Sequence, residues 1–137
     1  MVVNNASSEL QWQIIRKNSA FIRRQRGINK HFSREKFNLK GVNSPRFNGL
    51  INKSAIDISL DAAKKELVVV TKKPKASQTP ANSTVTTKFQ NSARAVNSVK
   101  KAVENLKPEF RGLTQRRVSQ LIRSTKPRKN TRRAKTE

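Results

Sequence analysis

Cysteine is absent from the 137 residues, which excludes disulfides, cysteine zinc sites and thiol chemistry. Histidine occurs once, at His31, so there is no second imidazole or thiol to complete a ligand pair. Glycine is sparse: Gly27, Gly41, Gly49 and Gly112 are scattered, and none forms a phosphate-cradling loop. No apolar run approaches the roughly 20 residues of a membrane span. Met1 to Ser8 has neither the basic start nor the apolar stretch of a secretory leader. The final Lys-Thr-Glu is no lipidation box. The expectation is a soluble intracellular chain with no cofactor, no metal, no small-molecule substrate and no enzymatic activity.

Acidic residues are the most consequential shortage. Eight Asp and Glu stand against 31 Lys and Arg, a net charge of +23 and a pI near 11.8. A compact domain with that charge left unneutralised repels itself, so a dense polyanion is its expected surroundings. RNA, DNA and an anionic membrane face are the candidates. Nucleic acid leads, because each Lys or Arg on a phosphate releases condensed counterions without any need for base sequence. A membrane-bound polycation would show a basic helix with a broad apolar face, and no segment here has one.

Ile, Leu, Val and Phe together number 33, about 24% of the chain. That is slightly above the roughly 20% below which a highly charged chain stays disordered. One small α+β domain is expected, with a small antiparallel sheet, packed helices and a basic extension. Residues 7–17 read as an amphipathic helix with Ser8 and Gln11 in capping-box spacing. Ala20-Phe21-Ile22 suggests a short strand, and residues 23–40 a basic loop. Arg46 to Ile51 reads as a strand, with Gly49 marking a bulge or a close backbone approach. Ile56, Ile58 and Leu60 alternate with Asp57, Ser59 and Asp61, the period of a half-buried strand. Leu67 to Thr71 forms its hairpin partner. Residues 72–88 read as a linker. From Asn91 the period becomes helical, with Ala93, Val96, Val99, Val103 and Leu106 on one face and Pro108 as a stop. A second helix starts at Thr114 as N-cap, with Val118, Leu121 and Ile122 inward and Arg116, Gln120 and Arg123 outward. Residues 1–124 then make the globular domain and 125–137 an extended tail.

Most residues that could carry chemistry have plainer roles. Asp57, Asp61 and Glu66 suit a solvated hairpin surface pairing with Lys64 and Lys65. Trp12, Phe21, Phe47, Phe89 and Phe110 sit among aliphatics and are expected in the core. Phe32 and Phe37, inside the basic loop, are the aromatics best placed to stack on a base or sugar. Positive charge gathers in three clusters. The first, residues 16–40, holds nine: Arg16, Lys17, Arg23, Arg24, Arg26, Lys30, Arg34, Lys36 and Lys40. The second includes Lys72, Lys73 and Arg94. The third holds Arg111, Arg116, Arg117, Arg123, Lys126, Arg128, Lys129, Arg132, Arg133 and Lys135. One such run is an ordinary solvated surface or a nuclear import signal. Three around a small core point to phosphate binding, and Arg's planar fork suits bidentate contact.

Leu10-Gln11-Trp12, Ile15-Arg16, Ser19 and Phe21 are followed by Asn38-Leu39-Lys40 and by Ser44-x-Arg46-x-Asn48-Gly49-Leu50. Ala93-Arg94-Ala95, Lys107-Pro108-Glu109-Phe110-Arg111 and Ser124-x-Lys126-Pro127 come later. In this order, over nearly the whole chain, they resemble the eukaryotic large-ribosomal-subunit protein 28 family. The resemblance implies an α+β domain on the large (60S) subunit of the cytoplasmic ribosome, contacting rRNA and neighbouring ribosomal proteins as a single copy. It implies that Arg16, Arg46, Asn48, Gly49 and Arg94 face RNA or shape the RNA-facing loops. The sequence departs from the family pattern at Pro108-Glu109-Phe110 and in the tail. A nucleolar assembly factor shares the N-terminal domain but carries cysteines and a long acidic region. That factor, and a chromatin-binding protein, are the alternative readings.

Overall fold

A computed structural model describes residues 6–61, 63–74 and 79–127. It is an α+β fold, as the sequence implies. Three strands, β3 (Ala55–Asp61), β4 (Glu66–Lys72) and β5 (Thr84–Gln90), form an antiparallel sheet in that order. The register sets Ile58 opposite Val69 and Leu60 opposite Leu67, and then Leu67 opposite Phe89. With a side-chain period of two, these residues share one face. Ile56, Ile58, Leu67 and Val69 on that face are almost fully buried.

Two helices cover it. From α2 (Ala95–Glu104) come Ala95, Val99 and Val103; from α3 (Arg111–Ser124) come Val118 and, partly buried, Leu121 and Ile122. Phe110, in a 3₁₀ turn at Pro108–Phe110, closes the join between the helices. Leu39, from the loop preceding the sheet, completes the cluster.

The hairpin β3–β4 has the expected alternation. The segment expected as a linker, 72–88, instead includes most of β5, which pairs with β4 from Glu66–Gln90 to Lys72–Thr84. Thr84, Thr86, Thr87 and Val85 favour extended backbone, but most of this edge strand is exposed. It therefore carries little hydrophobic alternation to read, and the backbone ladder holds it in place. The basic loop 23–40 likewise contains a strand. Two-residue strands β1 (Ile22–Arg23) and β2 (Phe32–Ser33) pair, too short to show any period.

Arg46 to Ile51 is a turn, not a strand. The Asn48 side chain decides this. Its Oδ1 accepts hydrogen bonds from the backbone N–H groups of Leu50 (2.9 Å) and Ile51 (3.2 Å), competing with any sheet ladder. Gly49 is a close backbone approach, as expected. A Cβ there would lie 2.2 Å from the Lys36 carbonyl oxygen and 2.7 Å from Phe37 Cβ. Phe37 itself has φ of 67°, a left-handed backbone that the packed turn beneath it enforces.

The helix starts also differ. Helix α1 (Ser8–Ile15) is capped by Ser7, whose Oγ accepts from the Leu10 N–H, while Gln11 Nε2 donates to the Ala6 carbonyl. Helix α2 begins its buried face at Ala95, leaving Ala93 exposed. Helix α3 begins at Arg111, so Thr114 is internal and fully buried, and its hydroxyl donates to the Phe110 carbonyl. The residues 125–137 expected as a tail are described only as far as Pro127.

Leu67→Ala should cost about 2–5 kcal/mol in denaturant unfolding, because it empties the centre of the sheet face. Ile14→Ala on exposed α1 should change stability by less than about 0.5 kcal/mol. Gly49→Ala should destabilise by about 1–3 kcal/mol, since neither Lys36 nor Phe37 offers room.

Candidate nucleic-acid interface

Two loops ahead of the sheet are fastened together by a buried carboxyl. Glu35 is 5% exposed. Its Oε1 accepts from Asn38 Nδ2 at 2.9 Å and from the Gly49 N–H at 3.3 Å. Asn38 Nδ2 also donates to the Val42 carbonyl, and its Oδ1 accepts from the Gly41 N–H. Glu35 Oε2 is buried with no hydrogen-bond partner among the described residues. Burial pushes this carboxyl above the usual glutamate value of 4.5, against the opposing pull of its two hydrogen bonds. From β4, Lys72 Nζ donates to the carbonyls of Gly49 and Asn52 and ties the turn to the sheet.

The 44–52 turn carries Arg46 and Phe47 to the protein surface beside Phe110. The Phe47 and Phe110 ring centroids are 5.5 Å apart with planes tilted by 32°. The Arg46 guanidinium lies over both rings, 5.6 Å and 5.7 Å from their centroids. Lys40 Nζ stands 5.4 Å from the Phe47 centroid, and Lys107 Nζ 4.8 Å from that of Phe110. The negative ring faces attract these cations and hold otherwise mobile side chains in place. Glu109 is the one carboxylate in the group, 3.5 Å from Arg46, and both side chains are more than half exposed. Partial burial, reinforced by repulsion from Arg46, lowers the Lys107 pKa against the attraction of Glu109.

Other cations lie along α1, the β1–β2 hairpin and α3, and some of them meet Lys40, which lines one open groove with Arg116 and Arg117 and another with Arg34, Lys36 and Arg117. Arg16, Lys17, Arg23, Arg24, Arg26, Lys30 and Arg34 are all exposed, along the end of α1 and the β1–β2 hairpin. The Arg16 carbonyl accepts from Asn43 Nδ2 at 2.8 Å, linking α1 to the next loop. Lys73, Arg94 and Lys126 are exposed. Arg116 and Arg123 line an open groove on α3 with Gly112, Gln115, Ser119 and Gln120. Arg117 is half-buried and donates to Gln120 Oε1 at 3.1 Å. Arg111 pairs with Glu104 at 3.0 Å. With Arg46–Glu109, that makes two ion pairs among the described residues. Arg128, Lys129, Arg132, Arg133 and Lys135 lie outside the described residues.

Three candidate RNA-facing residues turn inward instead. Asn48 is 2% exposed and Gly49 is buried; both shape the turn that presents Arg46. Lys72 is occupied by two backbone carbonyls. Several core assignments shift too. Helix α1 buries none of its residues, so Trp12 is only half-buried while Leu10 and Ile14 are 54% and 64% exposed. Phe21 is exposed, whereas Phe110 is buried and Phe47 and Phe89 are partly buried against the core. Asp57, Asp61 and Glu66 make no ion pair among the described residues; Asp61 Oδ1 instead accepts from the Ala63 N–H and shapes the hairpin turn. Lys40 and Lys107 stand in the family motifs quoted from the sequence, without an RNA-facing role assigned to either. The cue available was Arg46-Phe47 and Lys107 three residues before Phe110, an interleaving of cation and ring whose convergence depends on the fold.

These features define a class: a small α+β protein whose outward chemistry is cationic and whose buried polar groups serve loop shape. The sequence profile of the ribosomal L28e protein family matches residues 10–124. A Caenorhabditis elegans protein named large ribosomal subunit protein eL28 is 50% identical over 119 residues, covering 86% of this chain and 90% of the relative. A Dictyostelium discoideum protein of the same name is 34% identical over 125 residues, 88% of this chain and 92% of the relative. One from Schizosaccharomyces pombe is 33% identical over 78 residues, 56% and 58% of the two chains. The chain belongs to the ribosomal L28e protein family.

Glu35 supplies a pH test. Folding favours its protonated form, so the folded chain binds the extra proton and this contribution to stability is complete below about pH 4.5. It is lost as pH rises through the elevated folded value and is flat beyond it. Glu35→Gln should flatten that part of the stability–pH curve between pH 4 and 8. At pH 7 it should unfold at the same or higher denaturant concentration than the parent chain.

Proposed function

We propose that this protein is a structural constituent of the large subunit of the cytoplasmic ribosome that binds and bridges rRNA through its basic surfaces. The supporting observation is the uneven charge balance on a folded frame. Most of the 31 basic residues have no carboxylate to meet, and two ion pairs form among the described residues. The family is a structural, non-enzymatic component of the ribosome, and the relatives' names place them in its large subunit. Partners on this reading are large-subunit rRNA and neighbouring ribosomal proteins, with one copy per particle and assembly through the nucleolus.

A-form RNA hides its base edges in a deep, narrow groove, so a protein of this kind reads phosphate geometry and loops rather than sequence. Basic side chains lie on the β1–β2 hairpin, on the 44–52 turn and along α3, and Lys40 shares a groove with Arg116 and Arg117 of α3. Basic groups on several elements of one fold can each engage a different RNA segment, which is what bridging requires. Residues 1–124 serve as the docking domain, and 125–137 add a basic strand threaded between RNA helices. Arg16, Lys17, Arg23, Arg24, Arg26, Lys30, Arg34, Arg46, Lys73, Arg94, Arg116, Arg123 and Lys126 are among the described residues available for phosphate contact.

The affinity for in-vitro-transcribed large-subunit rRNA should fall steeply with salt. Six to ten phosphate contacts predict a loss of about 10³–10⁵-fold between 50 and 200 mM. A flat log–log plot would sink the reading. A tagged copy should sediment with 60S particles and polysomes. Sedimentation with chromatin would favour DNA binding, and absence from polysomes would favour an assembly factor.

A further inference from the structure

We propose that Lys40, Arg46 and Lys107, seated on the Phe47–Phe110 ring pair, form a preorganised site for RNA backbone phosphate in which Glu109 occupies the place of the phosphate until RNA arrives. This inference rests on the rRNA-binding reading and names the group of side chains that it makes most effective.

Three cations from three separate segments of the chain converge on two rings whose centroids are 5.5 Å apart. Like charges do not gather without cause. Here the aromatic faces offset part of their repulsion, and one carboxylate is present for three positive groups. The local excess is two charges, the amount that a pair of adjacent phosphodiesters would neutralise.

Seating on the rings separates this site from the other surface cations. A free Lys or Arg gives up rotamer freedom when it is immobilised, and binding at an exposed residue carries that cost. Arg46 is already fixed by two rings and by Glu109, yet its side chain is 54% exposed and open to a ligand. Its guanidinium can keep one edge on the rings and turn its N–H donors to a phosphate oxygen. Glu109 has a 71% exposed side chain and can swing into solvent. The exchange replaces one oxyanion on Arg46 with another, returns the Glu109 carboxylate to water and moves no proton. The ring pair is anchored in turn. Phe110 is 4% exposed in the core, and Phe47 is borne by the turn that Asn48, Gly49 and Glu35 lock in place. The site is therefore built by the fold and does not depend on how the basic tail is arranged.

The full-length protein and three variants would be titrated against in-vitro-transcribed large-subunit rRNA at several salt concentrations. The double variant Arg46→Ala/Lys107→Ala should bind about 10–100-fold more weakly, and its salt slope should fall by about two, one for each lost phosphate contact. Glu109→Gln removes the competing anion and should bind several-fold more tightly with an unchanged number of phosphate contacts. Because Glu109→Gln takes nothing from the core, it remains informative if the double variant unfolds. Arg24→Ala, on the β1–β2 hairpin, should lose less affinity than the double variant. If the parent chain binds rRNA and both ring-site variants bind with the parent affinity and slope, the proposal is overturned while the general reading stands. If the parent chain itself does not bind rRNA, the underlying reading fails instead. Unchanged rRNA affinity combined with lost incorporation into 60S particles would also overturn it, in favour of an acidic protein segment as the occupant.

Discussion

Electrostatic self-repulsion is the constraint under which every other part of this molecule is arranged. A chain with 23 more positive than negative charges has few apolar residues to spend on holding itself together, so they must be concentrated. They meet in a single seam between one sheet face and two helices, with Leu67, Val69, Val99, Val103 and Val118 essentially inaccessible. Charged groups are kept to the periphery, where water and counterions screen them. The one buried carboxyl among the described residues, Glu35, sits outside the seam, and burial raises its pKa against the pull of its two hydrogen bonds.

The same constraint explains why the basic surfaces are built on loops and helix exteriors. The 33–41 loop and the 44–52 turn are anchored by a few apolar side chains, Leu39 from the first and Phe47 and Ile51 from the second. They are shaped further by side-chain amides: Asn38 joins the first loop across itself, Asn48 closes the second, and Asn52 Nδ2 donates to the Pro45 and Asn48 carbonyls. These bonds are short-range and directional, so they fix the backbone between those apolar anchors. Gly49 and Glu35 then fasten the two loops to one another, and Lys72 fastens the second to the sheet. The outcome is a rigid mount for Arg46, Phe47 and Lys40.

Helix α1 stands apart from that logic. Its residues are ordered by a Ser7 cap and by local backbone bonds, and Leu10 and Ile14 remain open to solvent. The 3.6-residue pattern that marks it as amphipathic describes a helix correctly and says nothing of whether the same chain covers its apolar side. Thr114 makes the converse point. A threonine near a helix start reads as a cap, but here the preceding 3₁₀ turn runs straight into α3 and places the hydroxyl inside, bonded to Phe110. Thr84 to Gln90 shows a third kind of limit: an exposed edge strand is held by its ladder to β4, which leaves no trace in hydrophobic spacing.

Sequence alone determined the quantities that are summed along the chain or repeated within a short window. The cationic excess, the alternation of Ile56 to Leu60, the β-branched run of β4 and the outward set Arg116, Gln120 and Arg123 all belong to that kind, and so does membership of the ribosomal L28e family. Only tertiary structure decided which residues meet across distance. Lys40, Arg46 and Lys107 converge on two rings from positions up to 67 residues apart in the chain (107 − 40 = 67). Glu35 reaches Gly49 across 14 residues. Such contacts depend on chain closure and packing in three dimensions, and neither periodicity nor composition carries information about them.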